Sequence, residues 1–152
     1  MLKKFIFFIF ILNFSQSCGF TPMHSNNKTI KINVENISLS GDWDLNNFIK
    51  TSLKRYSSKE ASKKYDFIIT TNYTSNAISK DSTGKAIKYQ FIIETDFIVT
   101  SENFNKNYSF KESFIMENFT DQLTRENYEK SNKNNIANII INKLMMQLSR
   151  LE

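Results

Sequence analysis

The chain has 152 residues, a formal charge of +5 from 20 Lys and Arg against 15 Asp and Glu, and only 3 Gly, 1 Pro, 1 Cys and 1 His. One histidine, His24, and one cysteine, Cys18, supply neither a Cys/His metal site nor a histidine-based nucleophilic triad, so no cofactor and no enzyme of those classes is expected. Gly19, Gly41 and Gly84 are too scattered for a phosphate-cradling loop, and the modest positive charge is not gathered into the basic stripe that nucleic acid demands.

In chain order, the first element is an address. Lys3 and Lys4 precede an apolar run from Phe5 to Phe14, the pattern of a secretion signal and too short for a membrane span of about 20 residues. Ser15-Gln16-Ser17-Cys18 then resembles a lipobox: Ser17 is the small residue expected before a lipidated cysteine, while Ser15 and Gln16 depart from the usual Leu and small residue. Residues 1–17 are therefore expected to be a lipoprotein signal peptide and residues 18–28 a tether carrying lipid on Cys18. Stable anchoring takes two or more acyl chains at about 0.8 kcal/mol per buried methylene. Loss of Lys3 and Lys4 with the signal lowers the formal charge from +5 to +3.

Residues 29–152 are expected to fold as one domain. Thr29 to Val34 alternates apolar and polar residues, as a half-buried strand does. Gly41-Asp42 breaks the chain, and Leu45, Phe48, Ile49, Leu53 and Tyr56 recur at helical steps behind Asp42 or Asp44 as N-cap. Tyr65 to Ile78 is extended, with Phe67, Ile69, Thr71, Tyr73 and Ala77 on one face, and Asp81-Ser82-Thr83-Gly84 predicts a hairpin turn. Ala86 to Val99 alternates most clearly, with Ile87, Tyr89, Phe91, Ile93, Thr95, Phe97 and Val99 on the buried side; Glu94 and Asp96 fall on the solvated side and are not expected to act as an acid/base pair. At about 3.3 Å per residue this strand runs roughly 46 Å, long enough to project past its core. A turn over Ser101 to Asn107 leads to a fourth strand marked by Tyr108, Phe110, Phe114 and Met116, and a final helix carries Ile136, Ile139, Ile140, Leu144, Leu148 and Leu151 behind Ser131 or Asn132. The order β-α-β-β-β-α predicts an α+β two-layer sandwich: a four-stranded, mostly antiparallel sheet with two helices on one face.

Three stretches together resemble the outer-membrane lipopolysaccharide-assembly lipoprotein family (LptE): Cys18-Gly19-Phe20-Thr21-Pro22-Met23, Asp81 to Tyr89 leading into the long third strand, and the C-terminal amphipathic helix. The resemblance implies a non-catalytic lipoprotein at the outer membrane, seated in a large outer-membrane β-barrel (LptD-like) and assisting lipopolysaccharide on its way to the cell surface. Gly19 after the cysteine agrees with outer-membrane sorting in that setting. Lipid A phosphates call for cations, and Lys80, Lys85 and Lys88 around the predicted hairpin tip are the candidate lipopolysaccharide-facing residues, although lysines there also keep an edge strand soluble. Phe104, at the second turn, is a candidate for touching the barrel. The alternative is a free lipoprotein that binds a small lipid or peptide on its sheet.

Overall fold

The computed structural model describes residues 31–151, so Cys18, His24 and the signal and tether segments lie outside the described residues. The elements are β1 (Asn33–Gly41), α1 (Trp43–Lys54), β2 (Lys64–Lys80), β3 (Ala86–Ser101), β4 (Phe104–Glu117) and α2 (Gln122–Leu148), closed by a 3-10 turn at Ser149–Leu151. The sheet order is β1-β2-β3-β4, with β1 parallel to β2 and the other pairs antiparallel. This is the expected α+β arrangement.

Period-2 alternation places one face of the sheet under the helices. Tyr65, Phe67 and Ile69 of β2 and Ile93, Phe97 and Val99 of β3 are buried against Leu45, Ile49 and Leu53 of α1 and Ile136, Ile140, Ile141, Leu144 and Leu148 of α2. The helices are also held in register by polar contacts: the Ser52 hydroxyl donates to Asn138 Oδ1 at 2.7 Å and the Tyr56 hydroxyl to Asn142 Oδ1 at 2.6 Å. Lys143 of α2 forms an ion pair with Glu112 on β4. The other face of the sheet is mostly polar, with Ile68, Ile98 and Ile115 exposed on it. There Lys111 bridges to Glu94 at 2.7 Å and Ser109 donates to Asp96, so both acids sit in solvated cross-strand pairs.

Several boundaries differ from the sequence expectation. The first strand lies later, at Asn33–Gly41, because a bulge between Val34 and Asn36 resets the alternation and turns Ile37 and Leu39 toward the core. The turn expected over Ser101 to Asn107 shrinks to Glu102-Asn103, since Ser101 pairs directly with Phe104. Phe104 is half-buried, its ring centroid 5.8 Å from that of Tyr65, and so is a core-packing residue rather than an exposed one. The last helix begins at Gln122, capped by Asp121, whose carboxylate accepts from the Thr124 amide at 2.7 Å; Ser131 and Asn132 are interior helical residues. Ile139 is 44% exposed and lies off the buried stripe.

Candidate functional site: the projecting β2–β3 hairpin

The helices cover the sheet only in part. β1 ends opposite Thr71, where Gly41 takes φ +101° and the chain turns away into α1. A side chain there is impossible without movement, because a Cβ on Gly41 would lie 1.8 Å from the Thr71 carbonyl oxygen. Asp42 follows as the N-cap of α1, accepting from the Leu45 amide at 2.8 Å.

The ledge above this corner is closed by a buried cation. Lys133 of α2, 7% exposed at its side chain, reaches Asp42 at 3.0 Å and Glu129 at 3.6 Å and lies 3.9 Å from the centre of the Tyr73 ring. An amphipathic cation of this kind buries its stem while its head is paired twice and stacked once. Thr71 donates to Asn46 at 3.0 Å beside it. Burial pushes the Tyr73 phenol well above its ordinary value, and the Glu129 carboxylate beside it adds to the shift.

Beyond Tyr73 almost every side chain of β2 is exposed. Tyr73, Phe91 and Phe114 stack across β2, β3 and β4, with centroids 5.5 and 4.9 Å apart, and Met116, buried opposite Tyr89, carries the apolar layer further along β3 and β4. From Tyr73 to Lys80 the hairpin extends seven residues, roughly 23 Å at about 3.3 Å per residue. Most of its side chains are exposed.

The tip is ordered by Asp81. Its carboxylate accepts from the Thr83 amide at 2.9 Å, the Thr83 hydroxyl at 2.6 Å and the Lys85 amide at 3.0 Å, while Gly84 supplies φ +84° in open space. These donors, the Thr83 hydroxyl first, hold the Asp81 carboxyl below the usual carboxylate range. The three candidate lysines are all exposed and do share this hairpin. Lys80 pairs with Ala86 across the turn and Lys85 sits in it, whereas Lys88 lies further down β3 opposite Glu117, to which it bridges at 3.7 Å. Lys80 and Lys85 make no ion pair among the described residues. The tip therefore presents two available cations and a third that is partly neutralised. Glu117 had no signal in the sequence, because only the β3–β4 register brings it to Lys88. Lys133 did have one: it falls three residues before Ile136 and four before Ala137, on the buried stripe.

Among the described residues no helix is long and apolar enough to cross a membrane, and no group of three or more His, Cys, Asp or Glu is placed to hold a metal ion. The chain matches no family model and no curated protein. Its fold, however, is that of several solved lipoproteins. Rare lipoprotein B from Shewanella oneidensis superposes with a TM-score of 0.55 at 16% identity, over 77% of this chain and 98% of its own. Lipoprotein B from Nitrosomonas europaea gives 0.55 at 7% identity, over 82% and 88%, and a lipoprotein from Caulobacter crescentus gives 0.52 at 10% identity, over 81% and 90%. The chain is thus similar in fold, over nearly the whole length of these domains, to bacterial lipoproteins.

Proposed function

We propose that this chain is an outer-membrane lipoprotein, anchored through Cys18, that assists lipopolysaccharide assembly by seating in a large β-barrel translocon with its β2–β3 hairpin turned toward lipopolysaccharide. It acts by binding, without catalysis. The observation that carries the reading is the hairpin itself: on a fold shared with bacterial lipoproteins, β2 runs on exposed for about 23 Å past Tyr73 and the hairpin ends in lysines. The Cys18 to Met23 stretch supports the anchor and the family resemblance.

At the tip, Lys80 and Lys85 offer charge-assisted hydrogen bonds to phosphate oxygens, roughly twice as strong as neutral ones. Lys88 contributes less, since Glu117 competes for it. Replacing Lys80 and Lys85 together by Ala is expected to weaken lipopolysaccharide binding to the purified protein by about tenfold or more, each lost contact being worth about 1 kcal/mol. The Lys88→Ala change should cost less than either alone. Binding that survives the double change intact removes the tip from the account. Mass spectrometry of the mature N-terminus tests the anchor: the expected species begins at an acylated Cys18, and a retained signal or bare thiol contradicts it.

A further inference from the structure

Unpaired positive charge gathers at the end of the molecule opposite the hairpin tip. Lys54 to Lys64, the end of α1 and the loop into β2, holds five cations and one acid in eleven residues, and Lys31 enters beside it. Backbone bonds fix the neighbourhood: the Ile32 amide donates to the Tyr56 carbonyl at 3.0 Å, the Ser58 amide to the Ile32 carbonyl at 2.8 Å and the Asn33 amide to the Lys63 carbonyl at 3.1 Å. Lys31, Lys54, Arg55, Lys59, Lys63 and Lys64 are all exposed. Of the six, only Lys64 has an ion pair among the described residues, with Glu35 at 2.6 Å.

Local structure accounts for part of this charge. Lys54 and Arg55 lie at the C-terminus of α1, where the helix dipole favours cations. Lys31, Lys59 and Lys63 serve no such end. Lys31 and Lys63 share a shallow cleft with Ser58 and Ser62, and Glu60 is the one acid on its wall. The six cations face three acids at this end, Glu35, Glu60 and, at the β3–β4 turn beside Lys63 and Lys64, Glu102. The other eleven cations of residues 31–151 are matched by eleven acids, so the net positive charge of these residues is the charge of this one end.

The chain also enters the domain here. Thirteen residues separate Lys31 from Cys18, about 45 Å at full extension. A lipid on Cys18 thus keeps this end within reach of the membrane that holds it. A cation within a Debye length of anionic headgroups, ~8 Å, strengthens association roughly fivefold.

We propose that this end docks, through Lys31, Lys59 and Lys63, on the anionic phospholipid headgroups of the leaflet in which Cys18 is anchored. Acyl chains and a basic patch are two signals that together hold a protein against a bilayer. The lysines supply charge-assisted hydrogen bonds to headgroup phosphates, with the Ser58 and Ser62 hydroxyls as neutral donors beside them. The proposal rests on the Cys18 anchor and not on the barrel: it is the resting contact of the anchored chain, made before the hairpin at the far end of β2 meets a partner.

The test reconstitutes the mature full-length protein, its acylated Cys18 first verified by mass spectrometry, into vesicles of phosphatidylcholine alone or with about one part in four of phosphatidylglycerol, and reads the acetylation rate of each lysine. On the anionic vesicles Lys31, Lys59 and Lys63 should react at least about fivefold more slowly than on the neutral ones, the difference should collapse in about 0.5 M salt, and Lys80 and Lys85 at the tip should react equally on both. Charge reversal by Lys59→Glu and Lys63→Glu should remove the protection of Lys31; if that variant unfolds, the wild-type comparison decides. Equal rates on the two kinds of vesicle, or equal protection of the tip lysines, overturns the docking proposal while the anchor stands. Protection that appears only when the vesicles carry lipopolysaccharide overturns the phospholipid assignment. A Cys18 without acyl chains removes the anchor reading, and the membrane contact proposed here falls with it.

Discussion

Gly41 and Gly84 both take positive φ, yet only Gly41 is boxed in by backbone. Gly84→Ala should cost about 1 kcal/mol, the ordinary penalty of a side chain in that region. Gly41→Ala must also move Thr71, and about 3 kcal/mol or more is expected; urea denaturation of the two variants separates them, and equal losses would refute the close approach. Asp42 serves both as cap and as partner of Lys133. Asp42→Asn keeps a capping oxygen and removes the charge, whereas Asp42→Ala loses both. The Ala variant should therefore be the worse by about 1 kcal/mol, and both should fall well below wild type because Lys133 is left buried without its nearer partner. Thr95 is the converse case. Its hydroxyl is buried with no hydrogen-bond partner among the described residues, opposite Thr71 and Phe110. Thr95→Val should raise stability by about 1 kcal/mol, because the isosteric methyl carries no desolvation cost. A loss in the same urea assay would show that the hydroxyl is paired in solution.

Among elements, α2 has two halves. From Ile136 onward it carries the buried stripe, but Gln122 to Asn132 is almost wholly exposed, held by the Asp121 cap and by a contact between Phe119 and Tyr128 at 5.5 Å. Amides of the first half should exchange several orders of magnitude faster than those of Ile140 to Leu148, since local opening there exposes little apolar surface. Uniform protection would mean the first half is packed against something. The same division explains why the sequence placed the helix start ten residues late. A segment that is polar all round shows no period, and the eye falls on Ser131 and Asn132, where the stripe begins. β3 was legible for the opposite reason, because Phe91, Ile93, Thr95, Phe97 and Val99 are all buried on one face. The Asp42 cap and the Gly84 turn were legible as well, each being a local matter of residue type. What a single strand could not show was its neighbour: Glu117 beside Lys88, Tyr65 beneath Phe104, and the end of β1 at Thr71 all depend on register.

At the scale of the whole molecule, stability should be a plateau with two shoulders. Asp81, Glu94 and Asp121 are each held below their ordinary value, chiefly by hydrogen bonds from Thr83, Lys111 and Thr124 respectively. A carboxyl that binds its proton less readily when folded adds stability above its unfolded value near 4, and that stability is lost as pH falls through the lower folded values. Tyr73, raised mainly by burial, and Lys64, raised by the hydrogen bond it donates to Glu35, favour the folded state below about pH 10 and lose that preference as pH rises further. Melting temperature should thus be flat from about pH 5 to 9 and fall on both sides, with a shallower acid limb in Asp81→Asn. A midpoint still rising below pH 4 would contradict these assignments.

The two-layer body gives the lipoprotein fold its core, and the exposed run of β2 to the hairpin tip gives it reach. A photo-crosslinking residue placed at Thr83, in the full-length chain expressed in a Gram-negative cell, tests the barrel claim at the point where the reach ends. The account predicts an adduct with a large outer-membrane β-barrel, visible as a heat-modifiable band and absent when the crosslinker is moved to Asn134 on the exposed side of α2. A chain that reaches the membrane and extracts alone, with no barrel adduct at Thr83, would contradict it and favour a free lipoprotein instead.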